Sequence, residues 1–295
     1  MHRVGIIGIG RAGSVLACML AEKGYRIQAV PRHPAGGTIL IGGRTFPAVT
    51  LAEAASQNDV LLIAVPDKVI GDVVRALVPL DKAGLRGVLH LSGSVSAEIL
   101  APLKAQGLFA GALHPLQSLA NISQAQANLP GSTLMFEGDP EWIEWVRELA
   151  ACLECRLAIA PPHMDRALYH AGASIASNFL VTLAAMGIRC FTEAGLSEED
   201  ARAALVSLMR GTLGNLAAVS PASALTGPIV RGDAETVRAH LEALNARFPE
   251  LLPAYSVLAE RTASMAREAG GLPESTFEQL NEILHQSKGG HPNVR

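Results

Sequence analysis

Charge is scarce in this chain. Of its 295 residues only 17% are Asp, Glu, Lys or Arg, and the net charge is -3. The 24 basic residues are scattered, which leaves no electrostatic footprint for nucleic acid and makes a small molecule the expected partner. Cysteine is scarce too: Cys18, Cys152, Cys155 and Cys190 do not make a disulfide scaffold in a chain of this length. Cys152 and Cys155 form a C-x-x-C, but a structural zinc site needs a second ligand pair and only His163 is near. No metal is expected there, and the pair reads as a helix end running into a strand. The amino terminus lacks a basic segment followed by an apolar run and a small-residue cleavage site, so no signal peptide is expected and the cytoplasm is the expected compartment. Residues 171–188 lack charge altogether and approach the length of a membrane span. Ser174, Ser177, Asn178 and Thr182 interrupt that run, and the expectation is a buried helix at a domain or subunit core, with no membrane partner.

What is present is apolar. At 49% hydrophobic residues the chain can bury a large core, and its length suits two domains. "RVGIIGIG" is an apolar strand ending in glycine, and "AGSVLACMLAEKGY" repeats apolar residues at helical spacing up to Gly24. Gly8, Gly10 and Gly13 fit G-x-G-x-x-G between the two: the first for the tight turn, the second for close approach of a pyrophosphate, the third for helix packing. Ile9, Arg11 and Ala12 complete a turn whose backbone would face a dinucleotide at the helix N-terminus. At the end of the second strand an NAD-binding unit would place an acid on the ribose hydroxyls, and this chain has none. It reads "VPRHP" there, so Arg32, with His33 beside it, is the expected clamp for a 2'-phosphate, and NADP is the expected cofactor over NAD.

Alternation continues through "DVLLIAVPD", "KVIGDVVRAL", "GVLHLSGS", "GLFAGALHP", "TLMFEGD", "PEWIEWVRELAAC" and "RLAIAPP", and from His163 onward the pattern is helical. The expected architecture is α/β: an N-terminal doubly wound Rossmann-type sheet over residues 1–162 and an all-helical C-terminal domain over 163–295.

Four clusters are candidates for chemistry at the carboxyl ends of the strands. In "AVPD", Val65 and Pro66 should line the cofactor, and Asp67 should open a helix. In "HLSGSVS", Ser92 and Ser94 could bond a carboxamide or substrate carbonyl, with Gly93 leaving room for the ring. Ser94 or Ser96 could equally cap the helix near Ala97, and His90 reads as core. In "LHPLQS", His114 ends an apolar strand, and the usual imidazole pKa suits acid or base work near neutrality. His170, Ser174 and Asn178, at spacings of four, should share one helix face.

The phrases "GIIGIGRAG", "LLIAVPD", "HLSGS", "ALHPLQSL", "YHAGASIASNFLVTL" and "LTGPIVRGDAETVRAHLEAL" together resemble the Rossmann-like proteins that carry a C-terminal domain of unknown function. These belong to the wider group of pyrroline-5-carboxylate reductase, prephenate dehydrogenase and 6-phosphogluconate dehydrogenase. The resemblance implies a helical domain that makes a homodimer and a substrate site in the cleft between the domains. The group commonly has a Lys four residues before an Asn on the first long helix of the second domain; here Asn178 is present and Ser174 stands at the lysine position. A lysine-assisted reaction therefore does not carry over, and His170 takes its place as a candidate. Prephenate and arogenate dehydrogenases have a His-Pro like His114-Pro115, where the imidazole meets the substrate hydroxyl, but their following Gly is absent. "LTGPIVRGD" resembles a reductase loop that helps bind a small carboxylate, which implies substrate contacts from Thr226, Gly227 and Arg231, with Asp233 as a helix cap. Three functions stay open: an NADP-dependent oxidoreductase of a small imine, oxo acid or hydroxy acid; an oxidative decarboxylation of prephenate type; and a non-catalytic dinucleotide-binding sensor or regulatory dimer.

Overall fold

The structure is a computed structural model that describes residues 3–33 and 36–286. In chain order its elements are β1 (Arg3–Ile7), α1 (Arg11–Glu22), β2 (Arg26–Val30), β3 (Thr38–Ile41), β4 (Arg44–Pro47), α2 (Leu51–Gln57), β5 (Val60–Ile63) and α3 (Asp67–Leu77). There follow β6 (Gly87–His90), a 3-10 turn (Ala97–Leu100), α4 (Ala101–Lys104), β7 (Phe109–Leu116), α5 (Ile122–Asn128), β8 (Thr133–Gly138), α6 (Ile143–Cys152) and β9 (Arg156–Ile159). The rest is helical: α7 (Arg166–Ala176), α8 (Asn178–Glu193), α9 (Glu198–Ala218), α10 (Pro221–Ala224), α11 (Ala234–Arg247), α12 (Leu252–Glu268) and α13 (Glu274–Gln286). Two compact units meet between Phe179 and Leu180.

In the first unit seven strands pair in the order β2-β1-β5-β6-β7-β8-β9, and only the β7–β8 pairing is antiparallel. Side chains alternate across the pleat. Val4, Ile6, Val60 and Leu62 join α1, α5 and α6 on one face, while Ile7, Leu61, Ile63 and Val88 join α2, α3 and α4 on the other. Helices on both faces of a mainly parallel sheet make it doubly wound, as the alternation of elements implied. The strand order reverses between β1's neighbours β2 and β5, which puts the switch point at the carboxyl end of β1, directly before the glycine turn. The sequence reading did not include the β3–β4 hairpin. Its signal is "TILIGGRTFP": Gly42 and Gly43, both with positive φ, form the two-residue turn that suits a hairpin.

The antiparallel β8 gives the second face a polar border. Register aligns Ile63 with His90, His90 with Ala112 and Ala112 with Glu137, so one row across the sheet runs from apolar to ionisable side chains. Paired residues project to the same face. The apolar layer therefore ends beside His90, His114 and Glu137.

The second unit builds its core from α11, α12 and α13, where Val237, Leu241, Ala263, Leu280 and Leu284 are buried. Asp233 caps α11, its carboxylate accepting from Thr236 N, as the sequence suggested. The expectation of a buried helix over 171–188 is overturned within this chain. The run is divided at Ser177, α8 has no buried residue, and Val181 is 70% exposed. Residues Arg166–Glu193 have the length and apolarity to cross a membrane, yet Arg189 pairs with Glu250 at 2.6 Å and stacks over Phe248 at 4.6 Å, within the second unit.

Candidate functional site

The three glycines of the turn differ in what surrounds them. Gly8 has φ +94°, and a Cβ there would meet the Ala64 carbonyl oxygen at 2.7 Å and Val65 Cγ1 at 2.8 Å. At Gly13 a Cβ would lie 2.0 Å from the Gly8 carbonyl oxygen, so helix and turn touch backbone to backbone. Gly10 is the opposite case: a Cβ there would meet nothing within 4 Å. It is also the N-cap of α1 and offers no side chain to the first-turn N–H groups, and the first turn holds no acid. Open space in front of uncompensated N–H donors fits a pyrophosphate. Ile9 and Ala12 pack partly buried against the core, Arg11 is exposed, and Val65 rests on the turn with exposed Pro66 behind it as the N-cap of α3. Arg32, exposed just beyond β2, forms no ion pair among the described residues.

A second group of residues assembles at the carboxyl ends of β5, β6 and β7. His90, fully buried, is structural: its Nδ1 accepts from Ser92 N at 3.2 Å, which leaves Nε2 to donate to the Ser96 carbonyl, also at 3.2 Å. Burial holds its pKa down at about 4. The Ser92 hydroxyl is already engaged, accepting from Ser94 N and Val95 N, and Ser94 Oγ donates to Asp67. Ser96, and not Ser94, caps the turn at Ala97 by accepting from Glu98 N. The space that Gly93 leaves is taken by His114: a Cβ at Gly93 would stand 2.7 to 2.9 Å from Cε1, Nε2 and Nδ1 of the imidazole. The ring in question is thus protein, which corrects the expectation of room for a nicotinamide.

His114 is held by partners from α7. Its Nδ1 lies 2.9 Å from the Tyr169 hydroxyl, the Tyr169 ring meets it edge-on at 5.6 Å, and the His170 ring centre is 6.2 Å away. Burial pushes the His114 pKa from its usual 6.5 to about 4, and His170 and Arg166 push the same way against Asp67. Where the sequence suggested an imidazole titrating near neutrality, its surroundings favour the neutral ring well below that range. Burial raises the Tyr169 phenol, so this hydroxyl keeps its proton. On α7, Arg166, His170 and Ser174 follow at intervals of four, a polar stripe; Asn178 comes after the break at Ser177 and opens α8.

The residue that sequence reasoning missed is Arg166. It is 94% buried at the first turn of α7, and its Nε donates to Glu137 Oε2 at 2.6 Å. Glu137 in turn accepts through Oε1 from Ser96 Oγ at 2.8 Å and Ala97 N at 2.9 Å. Burial alone would raise the Glu137 carboxyl; these bonds outweigh it and leave the group below its ordinary value. Thr226, Gly227 and Arg231 lie in the second unit, on a turn before α11 where Gly227 has φ +98° and Arg231 is exposed. Cys152 closes α6 and Cys155 precedes β9, both as free thiols, and no metal-binding cluster occurs among the described residues.

Residues 1–115 match the Rossmann-like domain family, and residues 132–262 match DUF2520, a domain of unknown function. Solved structures of similar fold include a protein of Thermotoga maritima at 21% identity, covering 97% of this chain and 99% of that one, with a TM-score of 0.60. A Bacteroides fragilis protein, provisionally assigned as an NADP oxidoreductase, is 20% identical over 89% of this chain and 98% of its own, with a TM-score of 0.69. The pyrroline carboxylate reductase of Plasmodium falciparum, solved with NADP bound, is 12% identical over 95% and 98%, with a TM-score of 0.62. At these identities the likeness is one of fold. A stretch of 99 residues is 33% identical to the glycerol-3-phosphate dehydrogenase (NAD(P)+) of Geobacter metallireducens, covering 28% of this chain and 29% of that relative's length.

Proposed function

We propose, from a chain whose residues 1–115 match a Rossmann-like domain and whose residues 132–262 match DUF2520, an NADP-dependent oxidoreductase that acts on a small imine, oxo acid or hydroxy acid. The observation that carries the reading is the turn after β1, where an open Gly10 stands before uncapped N–H donors at the strand-order switch point. Residues 8–13 hold the pyrophosphate, Arg32 pairs with the 2'-phosphate, and Val65 and Pro66 flank the ribose. The nicotinamide, when bound, supplies or accepts the hydride. The protein's part is to place the substrate and move one proton. His114, neutral at rest, takes that proton from the substrate oxygen or nitrogen as hydride leaves and returns it in the reverse direction, Tyr169 stands hydrogen-bonded behind it, and the exposed His170 links the group to solvent.

NADPH should bind at least tenfold tighter than NADH, because a charge-assisted contact contributes about 1.5 to 3 kcal/mol. Calorimetry with both cofactors measures this. Equal affinities, or an Arg32→Ala variant with undiminished NADPH binding, would remove NADP from the proposal.

We further propose a homodimer. The uncovered side chains of α8 and α9, among them Val181 at 70% and Leu208 at 62% exposure, need a cover that the described residues of one chain do not supply, and a symmetry mate supplies the same surface in return. Light scattering at low micromolar concentration should give twice the mass of the 30.9 kDa chain, and Val181→Lys combined with Leu208→Lys should shift it to monomer. A wild-type protein that scatters as a monomer contradicts this.

A further inference from the structure

Arg166 carries a buried charge that is only partly answered. Its Nε is committed to Glu137, but both terminal nitrogens are buried and, among the described residues, have no hydrogen-bond partner. Leaving such donors unpaired costs free energy, and a guanidinium presents its terminal N–H groups in a fork that matches a carboxylate or a comparable oxyanion. Glu137 cannot close that fork, since its second oxygen is held by Ser96 and Ala97. Arg166 stands on the same helix as Tyr169, three residues before it, and Tyr169 bonds His114, so the guanidinium is carried by the element that meets the proposed reacting group. Within this cluster Asp67 and His170 are exposed, His114 and Tyr169 half-buried, and Arg166 deepest.

We propose that Arg166 is the oxyanion anchor of this site: its two terminal nitrogens receive the carboxylate of the substrate, and Glu137 fixes the fork. The proposal rests on the oxidoreductase reading only for calling that ligand a substrate. It narrows the substrate class to small acids whose reacting carbon lies next to the carboxylate, so that the anchor and His114 are reached at once. It also moves the anchoring role away from Arg231.

Oxalate, a planar acid without a reducible carbonyl, is the probe. Calorimetry at pH 7 should show saturable binding to the wild-type protein. Binding should weaken about 30-fold or more in Arg166→Met combined with Glu137→Gln, a pair chosen so that no lone buried charge remains. Arg231→Met should bind as the wild type does. A second readout needs no variant: with oxalate bound, the His114 resonance followed by NMR should titrate at higher pH, because an anion beside it favours the imidazolium. No oxalate binding, no movement of His114, or a loss confined to Arg231→Met would each overturn the proposal. NADPH titrated into the same samples separates the two readings. Binding of NADPH without oxalate overturns the anchor alone, whereas Arg166-dependent oxalate binding in a protein that takes neither NADPH nor NADH supports the anchor and overturns the oxidoreductase.

Discussion

His114→Asn should lower turnover about 100-fold or more while NADPH affinity stays unchanged. The substitution removes the only imidazole among the described residues that is both half-buried and bonded to a protonated phenol, and it leaves residues 8–13 and Arg32 untouched. Asparagine retains a polar atom for Tyr169 and fits above Gly93, so the fold is preserved and the loss is one of proton transfer. His170→Asn, which changes an exposed ring, should cost less. The pH profile gives the same assignment a second check. His114 loses its proton near pH 4 rather than 6.5. As an acceptor it works when neutral, so the rate in the direction of hydroxyl oxidation should stay level as pH falls through 6.5 and decline only on approach to about 4. A profile that breaks at 6.5 would remove His114 from the acceptor role. Full turnover in both variants would mean that water or the substrate itself supplies the proton.

The second large effect separates two glycines that stand three residues apart. Gly10→Ala adds a methyl group into open space at a backbone conformation that alanine tolerates, with φ -82°. Its melting temperature should match the wild type, but the methyl stands where the pyrophosphate must approach, and NADPH affinity should fall about tenfold or more. Gly13→Ala drives a carbon to within 2.0 Å of the Gly8 carbonyl oxygen, and neither partner is a movable side-chain tip. The turn must open, so both stability and affinity should fall, with affinity down by about 100-fold or more as the donors lose their aim. Scanning calorimetry paired with cofactor titration resolves the two cases. A Gly10→Ala protein that binds NADPH like the wild type would sink the placement of the dinucleotide.

This contrast also explains what was legible in the sequence. The turn could be read because its requirements are local: strand, glycines and helix are contiguous, and the sterics at each glycine are set within a few residues or by the adjoining strand. The alternation of apolar runs gave the doubly wound sheet for the same reason. The β3–β4 hairpin is equally local, its turn marked by Gly42-Gly43. Arg166 is a different case. One arginine after Asp165 looks like an ordinary charge in a first helical turn, and only the antiparallel register of β8 brings Glu137 to it across 29 residues. The displaced titration of His114 depends on groups 52 to 56 residues away on α7, including Arg166 and His170, which no spacing rule reveals. The exposure of α8 is a third kind of gap: periodicity shows that a helix has an apolar face, not what covers it.

The attachment of α7 has a kinetic side. Apart from Arg166 the helix buries nothing fully, and Leu168 and Ile175 are largely exposed. Among the described residues, what fastens it to the sheet is polar: an ion pair at its first turn and a phenol–imidazole bond a turn later. Segments held by few apolar contacts open on their own, at a free energy below that of global unfolding. The amides of α7 should then exchange with solvent independently of those in β5 and β6, and each such opening would carry Arg166, Tyr169 and His170 away from His114 together. Proton-transfer geometry would be made and unmade by one cooperative docking event, with the strands and the glycine turn standing fixed throughout.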